Sequence, residues 1–456
     1  MSQLVNVKNI SKTVSNLFPR VNKTHFIETS IEHTHTDIYV PVNSVDSDRF
    51  IEFRIPKNLG YFIDLSSLHL QFRLNLKKRL ASEGQWNSYE SLATGDHVDI
   101  SNATIYTLFK QLTIEFNGVQ VCNEFNYSLN SYIRLITQFP YDEIKKLGKL
   151  FHLELYDPVV RDMPDDTYFS GLPADSPIRK RLVNLRTNGL HLRGPLISDI
   201  CNISSYLLDG IDIVIRLTLH ENSTVLLTSQ QLPDVTHNNG KKFYIDLSDI
   251  SLHVKKIKPS DNAYTALQRT LLPKLNENPT LDYLFTSKSI KQYHLPSGQN
   301  EQYFDLPFAS SIPEKLFIVF QKYDNFNTKS WKENLLYLEH LNLSNVYITI
   351  NGTTMYNIKC DFNTGDVAEI YHTTLLCLDK NHLLTLDSFM NGMTILGFPL
   401  ATYDPSADIR SPYYGVLKIV LSFHERLADP AMAYLLGDVL SILSINQNRD
   451  IVLNKN

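Results

Sequence analysis

Leu68, Leu70, Phe72, Leu74 and Leu76 alternate with His69, Gln71, Arg73, Asn75 and Lys77. A side-chain period of two places one set on a buried face and the other in water, as in a β-strand. The pattern returns at Leu112, Ile114 and Phe116 against Thr113, Glu115 and Asn117, and at Ile211, Ile213, Ile215, Leu217 and Leu219 against Asp212, Val214, Arg216, Thr218 and His220. Parallel strands, buried on both faces, would read as unbroken apolar runs, so these are half-buried antiparallel strands. Asn117-Gly118 supplies the positive-φ pair of a tight hairpin. With 11% aromatic and 20% charged residues, the composition suits a mainly β globular chain.

A second set of the same signals follows. Phe243-Tyr244-Ile245-Asp246-Leu247-Ser248 matches Tyr61-Phe62-Ile63-Asp64-Leu65-Ser66 as a strand opening. Val346, Ile348 and Ile350 alternate up to Asn351-Gly352, and Leu417, Ile419, Leu421 and Phe423 match the late strand at 211–219. Helical spacing of three and four follows each hairpin. The residues are Leu129, Tyr132, Ile133 and Ile136, with Ser128 as cap and Pro140 as stop, then Ile144, Leu147 and Phe151, and later Val367, Ile370, Tyr371 and Thr374 beyond Asp366. Since 456 residues exceed what one core usually serves, two domains are expected. The division predicted is an arm at 1–30, a first domain at 31–235 and a second at 236–456, with the polar stretch Pro233 to Lys242 between them. Many short strands with turn signals predict two tandem antiparallel jelly-roll β-sandwiches with short helices in loops. Long loops are expected near 80–97, 157–180, 258–280, 324–334 and 402–413, lengths typical of loops that carry contacts.

The arm has its own chemistry. Lys8, Lys12, Arg20 and Lys23 are the only charges before Glu28, while Val7, Ile10, Val14 and Leu17 would share a helix face. Such a basic amphipathic segment either packs under the first domain or touches a membrane, a genome or a neighbouring subunit. The net charge of −5 argues against a surface that grips nucleic acid throughout. Cys122, Cys201, Cys360 and Cys377 are scattered and predict free thiols. Polar residues interrupt every apolar pair at the N-terminus, so no secretory signal is expected, and the most apolar stretch, Ala431 to Ile445, contains Asp438 and predicts buried structure.

No catalytic constellation emerges. His424-Glu425-Arg426 lacks the second histidine of a zinc-protease motif. His33-Thr34-His35 puts two imidazoles on one strand face without a third ligand, and an exposed strand is the preferred reading. Asp162, Asp165 and Asp166 sit in a Pro-flanked loop, and Asp404-Pro405 and Asp429-Pro430 start turns. Lys241-Lys242-Phe243-Tyr244 and Lys255-Lys256-Ile257-Lys258 are too brief for a nucleic-acid groove. The expectation is a non-enzyme with no catalytic, cofactor or metal site. The rivals are a carbohydrate- or receptor-binding jelly-roll protein and a glycoside-cleaving jelly roll with two converging carboxylates.

The chain also resembles the double jelly-roll major capsid proteins of Polinton (Maverick) elements, adintoviruses and related virophages. The resemblance rests on Tyr61-Phe62-Ile63-Asp64-Leu65, on Leu108-Phe109-Lys110-Gln111-Leu112 running into Phe116-Asn117-Gly118, and on Leu207-Leu208-Asp209-Gly210 leading into Ile215-Arg216-Leu217-Thr218. In the second half it rests on Tyr244-Ile245-Asp246-Leu247, Leu252 to Lys258, Val319 to Asn327, and Ile350-Asn351-Gly352, so that it spans roughly residues 40–445. It implies a structural protein of a double-stranded-DNA virus that forms homotrimers of pseudo-hexagonal outline and tiles an icosahedral shell. The implied partners are further copies of itself, then penton and minor capsid proteins; contact of the arm with an inner membrane or genome is a separate expectation, drawn from the charges of Lys8, Lys12, Arg20 and Lys23. The implied location is the virion, assembled in the cytoplasm or nucleus of a host cell.

Overall fold

The computed structural model describes residues 30–43, 49–79, 89–92, 98–153, 183, 185, 187–203, 205–227, 243–271, 279–305, 307–308, 312–322, 334, 336–378, 382–400 and 414–455. The first half contains β1 (Ile31–Tyr39), β2 (Phe50–Ile55), β3 (His69–Arg79), β4 (Phe109–Phe116) and β5 (Val119–Glu124), then helices α1 (Tyr127–Gln138) and α2 (Tyr141–Phe151), then β6 (Leu190–Pro195), β7 (Ile213–Leu219) and β8 (Phe243–Pro259). Helix α3 (Asp261–Thr270) leads to the second half. There β9 (Thr280–Leu295), β10 (Glu301–Asp305), β11 (Lys315–Lys322), β12 (Leu343–Ile350) and β13 (Thr353–Lys359) precede α4 (Ala368–Cys377) and α5 (Leu386–Met390). The chain then forms β14 (Leu396–Pro399), β15 (Leu417–Phe423), β16 (Ala431–Asn446) and β17 (Ile451–Lys455).

The pairings give one sheet ordered β1-β8-β3-β6 and a second ordered β2-β7-β4-β5. The second half repeats them as β9-β16-β11-β14 and β10-β15-β12-β13, so adding eight to each strand number converts one half into the other. All these pairs are antiparallel, and each last strand returns to lie between the first and third, which is the Greek-key closure of a jelly roll. The alternating apolar residues fill each sandwich. Phe72 meets Phe109 edge-on at 6.1 Å in the first, and Phe320 meets Phe423 at the same distance in the second. Each such ring contributes about 1.5–3 kcal/mol by leaving water. Both Asn-Gly turns form as expected, with φ of 48° and 79° at Asn117-Gly118 and 51° and 79° at Asn351-Gly352.

Four expectations need correction. Phe243–Pro259 was expected to open the second half, but it pairs with β1 and β3, so the boundary of the folded halves shifts from 235/236 to between Pro259 and Thr280. Its sequence likeness to Tyr61–Ser66 is not an equivalence, because Phe62–Ile63 is a short strand lying on β8 itself, followed by a 3-10 turn at Leu65–Ser67. The loop expected at 258–280 holds α3. Helix α1 begins after Asn126 rather than Ser128, and the Ser128 hydroxyl instead lies 3.0 Å from His220 Nε2. Residues 1–29, the loop carrying Asp162, Asp165 and Asp166, and Asp404-Pro405 lie outside the described residues.

Because β8 is a central strand, a fragment of residues 30–235 should fail to melt cooperatively, whereas one of residues 30–271 should give a single transition by circular dichroism. A cooperative transition in the shorter fragment would overturn the corrected boundary.

Candidate functional site

The described residues place two buried polar clusters where the sandwiches meet. The first is built by α1, whose apolar spacing turns Arg134 inwards with a side chain only 1% exposed. Its Nη2 lies 2.5 Å from Asp199 Oδ1 and 3.6 Å from Glu124 Oε1 at the end of β5. Glu124 is held further by Asn130 Nδ2 at 2.7 Å and by the Ser198 hydroxyl at 3.1 Å. Asp199 then crosses to the second half, where its Oδ2 accepts the backbone N–H of Lys288 on β9 at 2.8 Å. The Lys288 ammonium, 2% exposed, pairs with Asp438 of β16 at 2.5 Å and lies 4.9 Å over the Phe317 ring.

This row holds three carboxylates against two cations. Burial opposes the charge on Arg134, but Asp199 and Glu124 outweigh it and hold the guanidinium more firmly protonated than usual. Burial pushes the Asp199 carboxyl up to about 6; Arg134 and the Lys288 N–H pull it down, while Glu124 adds to the rise. Ions this deep stabilise only when every partner is present, since each has left water at a cost of several kcal/mol.

The second cluster centres on Asp209. Its Oδ2 accepts from Gly60 N and from the Tyr264 hydroxyl, both at 2.7 Å. Arg449, in the turn between β16 and β17, reaches across with Nη2 to Asp209 Oδ1 and Nε to the Asp209 carbonyl, each 2.7 Å. Gly210 (φ 76°) follows, and a Cβ there would sit 3.2 Å from Leu59 Cδ2 and 3.4 Å from Arg449 Nε. Asn117 of the first Asn-Gly turn adds a bond from Nδ2 to the Arg449 carbonyl at 3.0 Å. Tyr283 of β9 joins the same contact, donating to Tyr206 O at 3.3 Å and accepting from Leu208 N at 3.1 Å.

The residues weighed earlier for chemistry lie elsewhere. His33 and His35 stack at 5.7 Å beside Tyr61 on β1, and among the described residues no set of three His, Cys, Asp or Glu side chains is placed to hold a metal. His424 Nε2 lies 3.1 Å from the Cys360 carbonyl, and Asp429 faces Lys322 at 3.8 Å. Lys256 and Lys258 pair with Asp37 and Glu32 rather than lining a groove. All four cysteines are free and buried, and burial pushes Cys360 and Cys377 up to about 12. Among the described residues no helix is long and apolar enough to cross a membrane. Of the ions in the first cluster, only Asp438 left a trace in the sequence, as a charge inside an apolar stretch.

Arg134→Met would leave Glu124 and Asp199 buried without their cation, and should cost about 3–5 kcal/mol in urea unfolding; a loss under about 1 kcal/mol would show the row to be solvated. For Asp199 the folded pKa is raised from 3.8 to about 6, so its stabilising contribution is complete below the unfolded value and disappears as pH rises through the folded one. Wild-type stability minus that of Asp199→Asn should therefore increase by up to about 1.4 kcal/mol per unit as pH falls from 6 towards 4. Parallel thermal-melt profiles for the two proteins would refute this.

No protein-family model matches the chain, and no curated protein matches its sequence. Solved structures match its fold. A chain of the Sputnik virophage, determined by cryo-EM, superposes with a TM-score of 0.61 at 13% identity, covering 96% of this chain and 91% of that one. The Faustovirus major capsid protein gives 0.55 at 10% identity, covering 93% and 92%, and the mavirus major capsid protein gives 0.51 at 10%, covering 100% and 96%. The likeness thus extends over both sandwiches in one continuous superposition, at identities that speak for backbone architecture alone. The chain has the double jelly-roll fold of virophage and giant-virus major capsid proteins.

Proposed function

We propose that this chain is a major capsid protein, a structural subunit that associates into homotrimers of pseudo-hexagonal outline and tiles an icosahedral shell. The observation that carries the reading is the end-to-end match of two fused sandwiches to the mavirus and Faustovirus major capsid proteins. The seam supports it. A shell subunit must transmit force between neighbours as one body, and two sandwiches joined by buried ions at Asp199 and Asp209 meet that need. In this reading the chain is not an enzyme, it resides in the virion, and its partners are its own copies followed by penton and minor capsid proteins. Lys8, Lys12, Arg20 and Lys23 give the N-terminal arm the charge to meet a membrane or genome on the inner side.

Light scattering with negative-stain imaging of the purified protein should give three times the chain mass and particles of hexagonal outline, or shells. A monomer that persists across salt and pH would overturn the reading in favour of a carbohydrate- or receptor-binding sandwich pair. Deleting residues 1–27 should weaken shell closure and leave trimers intact; unchanged assembly would remove the arm from the mechanism.

A further inference from the structure

The repeat sets one outward-facing row of the second sandwich beside its counterpart in the first. Thr113 and Tyr347 each stand four residues before the Asn of an Asn-Gly turn. Across their sheets run Glu52, Arg216, Thr113 and Asn123 in the first half, and Tyr303, Val420, Tyr347 and Asn357 in the second. The first row is closed by its own ions, since Arg216 donates through Nε and Nη2 to Glu52 Oε2 at 2.9 and 2.6 Å. The second has two tyrosines and a valine in the matching places, and Tyr303 is 65% exposed.

Both tyrosine rings are tied down. Tyr303 donates its hydroxyl to Glu301 Oε2 at 2.5 Å, and the Tyr347 hydroxyl lies 3.0 Å from Thr354 Oγ1. Glu301 is two residues back along β10 on the same face, while Thr354 stands opposite Thr349, two residues on from Tyr347. Each ring therefore lies along its strand over the sheet, with half-buried Val420 as the floor between them. Strand β15 separates β10 from β12, so the two tyrosine backbones are about 9.5 Å apart. Polar residues border the row, with Glu301, Ser422 and Asn345 on one side and Asp305, Lys418 and Thr354 on the other. An exposed aromatic face rimmed by oxygens and amides is complementary to a sugar, whose apolar C–H face packs on the ring while its hydroxyls reach the rim. Touching both rings takes several linked sugars. Three side chains offer far less than the roughly 800 Å² that each partner contributes to a stable protein interface. Glu301 and Asp305 flank Tyr303, and Lys418 is drawn to Asp305 at 3.4 Å, so this end repels anions; Lys359 lies three strands away on β13.

We propose that this row binds an uncharged oligosaccharide, as a surface site of the second sandwich alone. Tyr303 and Tyr347 stack against separate sugar rings, and Glu301, Asp305 and Asn357 meet hydroxyls at the edges of those rings. Rings already fixed by their own hydroxyls lose little freedom on binding, so the entropy of ordering is small. Binding is not followed by cleavage. Glycosidases hold two carboxyls about 5–10 Å apart, whereas Glu301 and Asp305 are separated by about 13 Å of strand and turned to different neighbours. The site is independent of the capsomer reading, which makes no use of it.

The test is isothermal titration calorimetry of the full-length protein with chitohexaose, mannohexaose and cellohexaose, and with a heparin hexasaccharide as the anionic probe. At least one neutral sugar should bind with a Kd below about 1 mM, and more tightly than the heparin fragment. Tyr303→Ala and Tyr347→Ala should each weaken that binding about tenfold, with melting temperatures within a few degrees of the wild type. Tyr303→Phe should keep most of the affinity, and Tyr414→Ala, at an exposed tyrosine outside the row, should keep all of it. Saturation-transfer NMR on the wild type gives a readout that needs no variant, because irradiating the aromatic protons should reach the ring C–H protons of the sugar. Failure of all three neutral sugars to bind, tighter binding of the heparin fragment, or full affinity in both alanine variants would overturn the proposal and leave the capsomer reading intact. A change of assembled mass in Tyr303→Ala by light scattering would make a second copy of the chain the occupant, and would overturn it as well.

Discussion

Asp199 has one oxygen on each half of the molecule: Oδ1 meets Arg134 of the first sandwich and Oδ2 takes the Lys288 amide of the second. Both sandwiches pay for this arrangement with desolvated charge, and neither satisfies it alone. Glu124, itself held by Asn130, holds Arg134 from behind, and Asp438 holds Lys288. Asp209 and Arg449 repeat the principle at the second cluster, again with one ion from each half. Apolar surfaces slide over one another at little cost, whereas a row of mutually compensating ions has one low-energy register. The relative placement of the two jelly rolls depends on that register.

The sequence and the structure agree where the determinants are local. Alternation at Leu70, Phe72, Leu74 and Leu76 reports a strand because burial with period two needs no knowledge of the partner strand. Asn117-Gly118 and Asn351-Gly352 announce their turns because few other pairs accept positive φ twice in succession. Agreement ends where partners are remote. Phe243–Pro259 has the alternation of any half-buried strand, and nothing in it records that Ile31 and His69, some two hundred residues earlier, flank it. Likeness to Tyr61–Ser66 therefore misplaced it. The seam ions were hidden for a related reason: Arg134 reads as an ordinary charged position on a helix, and Asp199 as a loop residue, until another half of the chain buries them.

The two halves share a topology and almost none of their polar chemistry. Lys315, Asp438 and Lys288 form a charged row across three strands of the second sandwich, and His69, His253 and Ile38 occupy the same row in the first. The backbone register is held by hydrogen bonds that any residue can make, so the side chains facing outwards were free to differ between repeats. One row became an internal joint. In the other, Ile38 is exposed.

The insertion of β8 between β1 and β3 also governs the order in which this chain becomes a protein. A ribosome delivers β1 to β7 before the strand that unites them exists, and the first sheet must wait as two unjoined pieces with its apolar face open. Once residue 259 emerges, that sheet closes through contacts of very long sequence separation, which are slow to find. The second half meets the same delay at β16, with the seam waiting on both. Chaperone occupancy during synthesis should thus fall in two steps, each timed to the arrival of a closing strand rather than to the length of chain already made.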